Sequence, residues 1–191
     1  MRELILASTS PWRRQILENC GIKVHAIPSN VDESQCTERD PVVHAATLAR
    51  WKAHAVAQTE PRAVVLGADQ VMWDGQQVFG KPKDSGTHFE MLYSMRGRDH
   101  WLVTAFCIVH GEVMEEGVSK TRLRVRQDLS DEEIRRYVAT EEGRFCAGGY
   151  AIEKHGAWLF EETEGDWFNI VGLPLFDVLS CLRRMGWTYG G

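Results

Sequence analysis

With 191 residues, 43% hydrophobic and 26% charged, the chain has ordinary globular composition, which excludes disorder and allows one domain with a sizeable core. A formal net charge of −5 argues against a nucleic-acid polymer as partner, since a polyanion needs a basic surface, but leaves room for a single nucleotide. The five cysteines are odd in number, widely spaced and without a C-x-x-C pair, so they read as free thiols in a reducing cytosol.

In chain order, residues 3–7 read as a buried strand, an apolar run too short for a signal-peptide core. Ser8-Thr9-Ser10 forms a small-residue loop. Ser10 is a helix cap and Pro11 takes the first helical position; the helix runs to about Cys20 and stops at Gly21. Such a loop is an anion site in outline, because backbone N–H groups and the positive end of the helix dipole point the same way. Arg13 and Arg14 add forked donors suited to phosphate, and Trp12 offers a face on which a base could stack.

Residues 23–27 read as a second strand, and Asp40-Pro41 opens a long Ala-rich helix to about Gln58 that carries Lys52. The apolar run Ala63 to Ala68 reads as a strand covered on both faces and ends in Asp69 and Gln70. A carboxylate there lies where α/β sheets place ligands, or it is a turn-forming Asp. Val71 to Trp73, Asp74-Gly75 and Gln76 to Phe79 form a hairpin signal. Gly80-Lys81-Pro82 presents Lys81 in a tight loop, and Asp84 caps a helix ending near Gly97.

His100 to Val109 and Val113 to Val125 read as a longer hairpin. Ser130 to Glu133 is a capping box for a short helix. Tyr150 to Glu161 is expected to hold two strands around Lys154-His155-Gly156. Gly165 to Leu175 is either a second ligand loop or a strand running into a helix that starts at Pro174 and ends near Met185. No apolar run has the length of a membrane span, and no linker is apparent, so one two-lobed α/β domain over residues 1–191 is expected, in the cytoplasm.

Asp32-Glu33 is an acidic pair that is either solvated surface or, set near Asp69, an oxygen-rich site for a divalent cation. Lys52 and Lys81 read singly as surface lysines, but with Arg13 and Arg14 they could neutralise a triphosphate. There is no G-x-x-x-x-G-K-[ST] loop, no G-x-G-x-x-G fingerprint and no zinc spacing.

The segments LILASTSPWRRQIL, NVDES, LARWKA, VLGADQV, GKPKD, CAGGYAIE and NIVGLPL occur in this order. Together they resemble the Maf family of nucleoside triphosphate pyrophosphatases over essentially the whole chain. The resemblance implies an α/β, two-lobed mixed-sheet Maf/inosine-triphosphatase-like fold with the active site in a central cleft. It implies hydrolysis of a triphosphate to monophosphate and diphosphate with a divalent metal cation (Mg²⁺, Mn²⁺ or Co²⁺). It makes Asp69 the catalytic carboxylate, with Glu33 and Asp69 at the metal and Ser8, Arg13, Lys52 and Lys81 at the phosphates. It is consistent with a homodimer.

The family divides by base. One branch acts on uridine and thymidine triphosphates and has Arg, Thr and Gln where this chain has Trp12, Gln70 and Glu153. The other acts on 7-methylguanosine triphosphate and has Trp, Gln and Glu, as here. A cationic base stacks well on Trp12, and Glu153 could accept two hydrogen bonds from the guanine edge. This makes 7-methyl-GTP the expected substrate, with dTTP or UTP, or a non-catalytic nucleotide-binding role in cell division, as the alternatives. Two segments, GGYAIE and GDWFNI, depart from the 7-methyl-GTP branch, the second being nearer the pyrimidine branch in length.

Overall fold

Short local signals set most of the elements in a computed structural model that describes residues 3–189. Ser10 caps helix α1 (Pro11–Asn19), its hydroxyl accepting from the Arg13 amide. Asp40 caps α2 (Pro41–Ala57) by accepting from the Val42 and Val43 amides. Asp84 with Thr87, and Ser130 with Glu133, form capping boxes for α3 (Ser85–Ser94) and α4 (Asp131–Ala139). Pro174 stands at the N-cap of α6 (Leu175–Arg184), and a short helix α5 (Trp167–Val171) precedes it. The strands are β1 (Glu3–Leu6), β2 (Lys23–Ala26), β3 (Val64–Trp73), β4 (Val78–Phe79), β5 (Asp99–His110), β6 (Val113–Val125) and β7 (Phe160–Glu164). They pair in the order β2-β1-β3-β5-β6-β7, with β4 beside β3. The architecture is therefore α/β with a mixed sheet, and all five cysteines carry free thiols.

The chain divides into two compact units. The first holds the residues up to Gln70, Thr104–Ser119 and those from Gly172 on. Here β1 lies between β2 and β3, parallel to both, and helices supply the two crossovers, as parallel pairing requires. Leu6 faces Leu66 across the ladder, and the Ala7 amide donates to the Leu66 carbonyl at 2.8 Å. That register brings the end of β1 beside residues 66–68 of β3. The loop leaving β1 therefore starts next to Asp69.

Helix α2 approaches β3 closely because Gly67 has no side chain. A Cβ there would lie 2.4 Å from the Ala49 carbonyl oxygen and 2.5 Å from the Ala53 nitrogen. The small buried residues Ala45, Ala49 and Ala53 line the helix face that makes this approach. Side chains alternate along a strand, so Asp69 shares the face of Gly67 and meets the same turn of the helix, at Lys52.

The second unit holds Val71–Val103 and Lys120–Val171. Its core includes Met72, Leu92, Leu102, Leu123, Ile134, Tyr150 and Leu159. The turn between β3 and β4 is built as the D-G signal predicts: Asp74 accepts from the Gln76 and Gln77 amides, and Gly75 has φ +100°. The two strands expected between Tyr150 and Glu161 are replaced by turns and one strand. Gly148 and Gly149 both have φ +76°, which breaks an extended chain before Tyr150. Residues 151–157 then turn locally, Lys154 donating to the Ala151 carbonyl and Ala157 to that of Lys154. Gly156 packs so closely on Ala151 that a Cβ would lie 2.4 Å from its carbonyl oxygen. A short 3-10 turn (His155–Leu159) follows, and extended structure resumes only in β7. Among the described residues no helix is long and apolar enough to cross a membrane.

Candidate active site

Asp69 ends the apolar run of β3 and is 7% exposed. Helix α2 brings Lys52, also 7% exposed, against it. The Lys52 ammonium donates to Asp69 Oδ1 at 2.5 Å and reaches Glu33 Oε1 at 2.8 Å. A buried lysine requires such partners, because an unpaired ammonium away from water costs several kcal/mol. Lys52 is thus neither a surface lysine nor free to meet phosphate in this state: it holds two carboxylates together.

Glu33 comes from a 3-10 turn (Glu33–Gln35) in the loop after β2. Its neighbour Asp32 is committed to the turn itself, accepting from the Ser34 amide, the Ser34 hydroxyl and the Gln35 side chain. Those hydrogen bonds, the Ser34 hydroxyl first, hold the Asp32 carboxyl below its ordinary pKa. Of the acidic pair read from the sequence, only Glu33 joins Asp69, and its side chain stays accessible.

Arg13 is bound up in the frame of the site. Its Nε donates to the Gly172 carbonyl at 2.9 Å. One terminal nitrogen donates to the Ala68 carbonyl at 2.8 Å and to Ser8 Oγ at 3.4 Å. Ala68 immediately precedes Asp69, so Arg13 fixes the backbone that carries the carboxylate. Burial draws the Arg13 pKa below its usual value, while the charges of Asp69 and Glu33 oppose that shift. Arg14 points elsewhere and pairs with Glu18 at 2.7 Å on the exposed face of α1.

The anion loop is narrower than its sequence suggests. Ser8 N–H donates to the Leu6 carbonyl, Ser10 N–H to Ser8 Oγ, and Arg13 N–H to Ser10 Oγ. That leaves the Thr9 and Trp12 amides to serve a ligand. Ser8 Oγ accepts from the Ser10 amide and from Arg13, so its own proton remains to be donated. Trp12 is half-buried beside this loop.

Gln70, next along β3, donates from Nε2 to the hydroxyl of the fully buried Thr104 at 3.0 Å. Lys81 and Glu153 belong to the second unit and are exposed. Both act electrostatically on Cys146, whose thiol burial pushes up to about 12, with Glu153 adding to the rise and Lys81 opposing it. The structure therefore brings together Ser8, Arg13, Glu33, Lys52 and Asp69, and sets Trp12 and Gln70 on the same two segments. Sequence reading passed over Gly67, Gly172 and Thr104. A lone glycine inside an apolar strand was the available signal for the first, since it marks close backbone approach.

As a cation site, the donor set fits in chemistry. Two carboxylate oxygens already converge on one positive charge, and Mg²⁺-type sites use one or two carboxylates completed by phosphate oxygens. Among the described residues no cluster of three His, Cys, Asp or Glu side chains makes a ready cage.

The chain matches a family model described as Maf-like protein over residues 3–185. A dTTP/UTP pyrophosphatase of Pyrococcus furiosus is 40% identical over 184 residues, covering 96% of this chain and 95% of that protein. One of Dictyoglomus turgidum is 40% identical over 191 residues, covering 98% of each. Among solved structures, a HAM1 protein from Coxiella burnetii superposes with a TM-score of 0.53 at 13% identity, covering 96% of this chain and all of that one. That likeness is one of fold.

Proposed function

The chain belongs to the Maf-like protein family and is a nucleoside triphosphate pyrophosphatase, and we propose that it cleaves dTTP or UTP to the monophosphate and diphosphate. The observation that carries the reading is the buried Asp69 held by Lys52 and Glu33 at the end of β3, in a chain so similar to dTTP/UTP pyrophosphatases along its whole length.

The chemistry follows from the residues. Water must attack the α-phosphorus, form a new P–O bond and expel diphosphate as the bond to the bridging oxygen breaks. Asp69 is placed to accept the proton that the water loses. Ser8 O–H and the Thr9 and Trp12 amides can donate to phosphate oxygens, and Arg13 and Lys52 bring positive charge to the same spot. When bound at Glu33 and Asp69, a divalent cation would offset phosphate charge and acidify water. The tie from Arg13 to the Ala68 carbonyl keeps Asp69 in place while substrate enters. The assignment of Lys81 to phosphate rests on the resemblance of GKPKD alone.

A second reading, 7-methyl-GTP, is favoured by Trp12, Gln70 and Glu153. Stacking of a cationic base on Trp12 is worth about 0.5–2 kcal/mol. The pyrimidine reading stands first because the similar relatives are dTTP/UTP pyrophosphatases, and the residues agree. The Gln70 amide is engaged with Thr104, and the exposed Glu153 lacks the buried, fixed setting that makes a carboxylate discriminate between bases. GGYAIE and GDWFNI also depart from the 7-methyl-GTP branch.

Initial rates on dTTP, UTP, GTP and 7-methyl-GTP with Mg²⁺ test the assignment. The expected result is kcat/KM for dTTP or UTP at least about tenfold above the purines. A preference for 7-methyl-GTP replaces the first reading with the second. Binding without turnover of any triphosphate overturns both and leaves the regulator.

A further inference from the structure

We propose that Lys52 is a built-in counter-ion that keeps Glu33 and Asp69 from taking up a divalent cation until a nucleotide arrives. This rests on the reading that these two carboxylates form the metal site. One buried ammonium stands between them, 2.5 Å from Asp69 Oδ1 and 2.8 Å from Glu33 Oε1. Lys52 is only 7% exposed, so its ammonium rests on the two carboxylates rather than in open water.

The charges in this cluster balance without a metal: Arg13 and Lys52 against Glu33 and Asp69. A divalent cation entering alone would meet two fixed positive charges and would have to displace Lys52 from both carboxylates. A triphosphate changes that balance. Its negative oxygens give the displaced ammonium a new partner and add cation ligands where, among the described residues, no cluster of three His, Cys, Asp or Glu side chains stands. Metal and nucleotide therefore bind cooperatively, and Lys52 passes from carboxylates to phosphate as they do. The same side chain thus serves as carboxylate clamp in one state and phosphate ligand in the other.

The test is binding of Mn²⁺ alone, by calorimetry or by loss of the free-ion electron paramagnetic resonance signal, with no nucleotide present. Lys52→Met removes the charge and keeps the stem. It should bind Mn²⁺ about tenfold or more tightly than wild type, within the 5- to 150-fold range usual for coupled sites. Lys52→Arg keeps the charge and should show no such gain. If Lys52→Met does not fold, Lys52→Gln serves, since it is polar but uncharged. Equal or weaker Mn²⁺ binding by the uncharged variant overturns the proposal while leaving the metal site intact. No Mn²⁺ binding by any of the proteins, even with a non-hydrolysable triphosphate present, overturns the metal reading itself.

Discussion

Asp69→Asn is expected to lower kcat by roughly 10²–10⁴-fold, the range that a positioned general base contributes. The substitution keeps shape but replaces a basic carboxylate with an amide that does not take up the proton. It also removes one of the two negative charges on Lys52, which retains Glu33 at 2.8 Å. Arg13 still holds the Ala68 carbonyl and Ser8, so the anion loop keeps its geometry. Nucleotide binding, measured at equilibrium, should therefore survive within about tenfold while turnover collapses. A variant whose kcat stays within tenfold of wild type removes Asp69 from proton transfer.

Acid stability gives the second large effect. His100 is fully buried in the second unit, and its Nε2 shares a 2.7 Å hydrogen bond with the Tyr150 hydroxyl. Its ring packs edge-on to Tyr150 and against Phe160, and Nδ1 has no partner. Burial lowers its pKa from 6.5 to about 4, with Asp99 and Asp74 opposing the shift. The unfolded chain therefore takes up this proton first. The contribution is fully present above about pH 6.5 and is lost as pH falls toward 4, so stability declines on acidification through that window. The shift corresponds to about 3 kcal/mol. Burial also lowers the pKa of His88, which adds a loss of the same sign. Urea unfolding from pH 8 to 4.5 should show this decline, and His100→Phe should flatten most of it. An equal slope in the variant would assign the loss to other groups, and carboxylates with depressed pKa, such as Glu133 at about 2, act at lower pH.

What the sequence made legible was what neighbours along the chain decide. Ser10, Asp40, Asp84 and Ser130 each cap a helix within three residues, so their elements could be placed from local pattern. Asp69 stood out because an apolar run ended on it. The segment after Tyr150 misled because Tyr150, Ala151 and Ile152 are as buried as a strand would be, while its turns depend on left-handed Gly148 and Gly149 and on a close packing of Gly156. The site behaved likewise. Several of the residues named from sequence do lie together, but through partners far along the chain: Lys52 with Asp69, Arg13 with Ala68 and with Gly172. No periodicity reports such contacts. Lys52 and Arg13 read from sequence as phosphate ligands, and the fold adds contacts that sequence does not show: Lys52 on two carboxylates and Arg13 on the strand end.

The most direct test of the central claim follows the phosphorus products of the wild-type enzyme by ³¹P nuclear magnetic resonance, using the triphosphate it turns over fastest. Attack at the α-phosphorus predicts diphosphate and the nucleoside monophosphate as the first products, in equal amounts and with no diphosphate nucleotide. Orthophosphate appearing with the nucleoside diphosphate would place the attack at the γ-phosphorus and contradict the account.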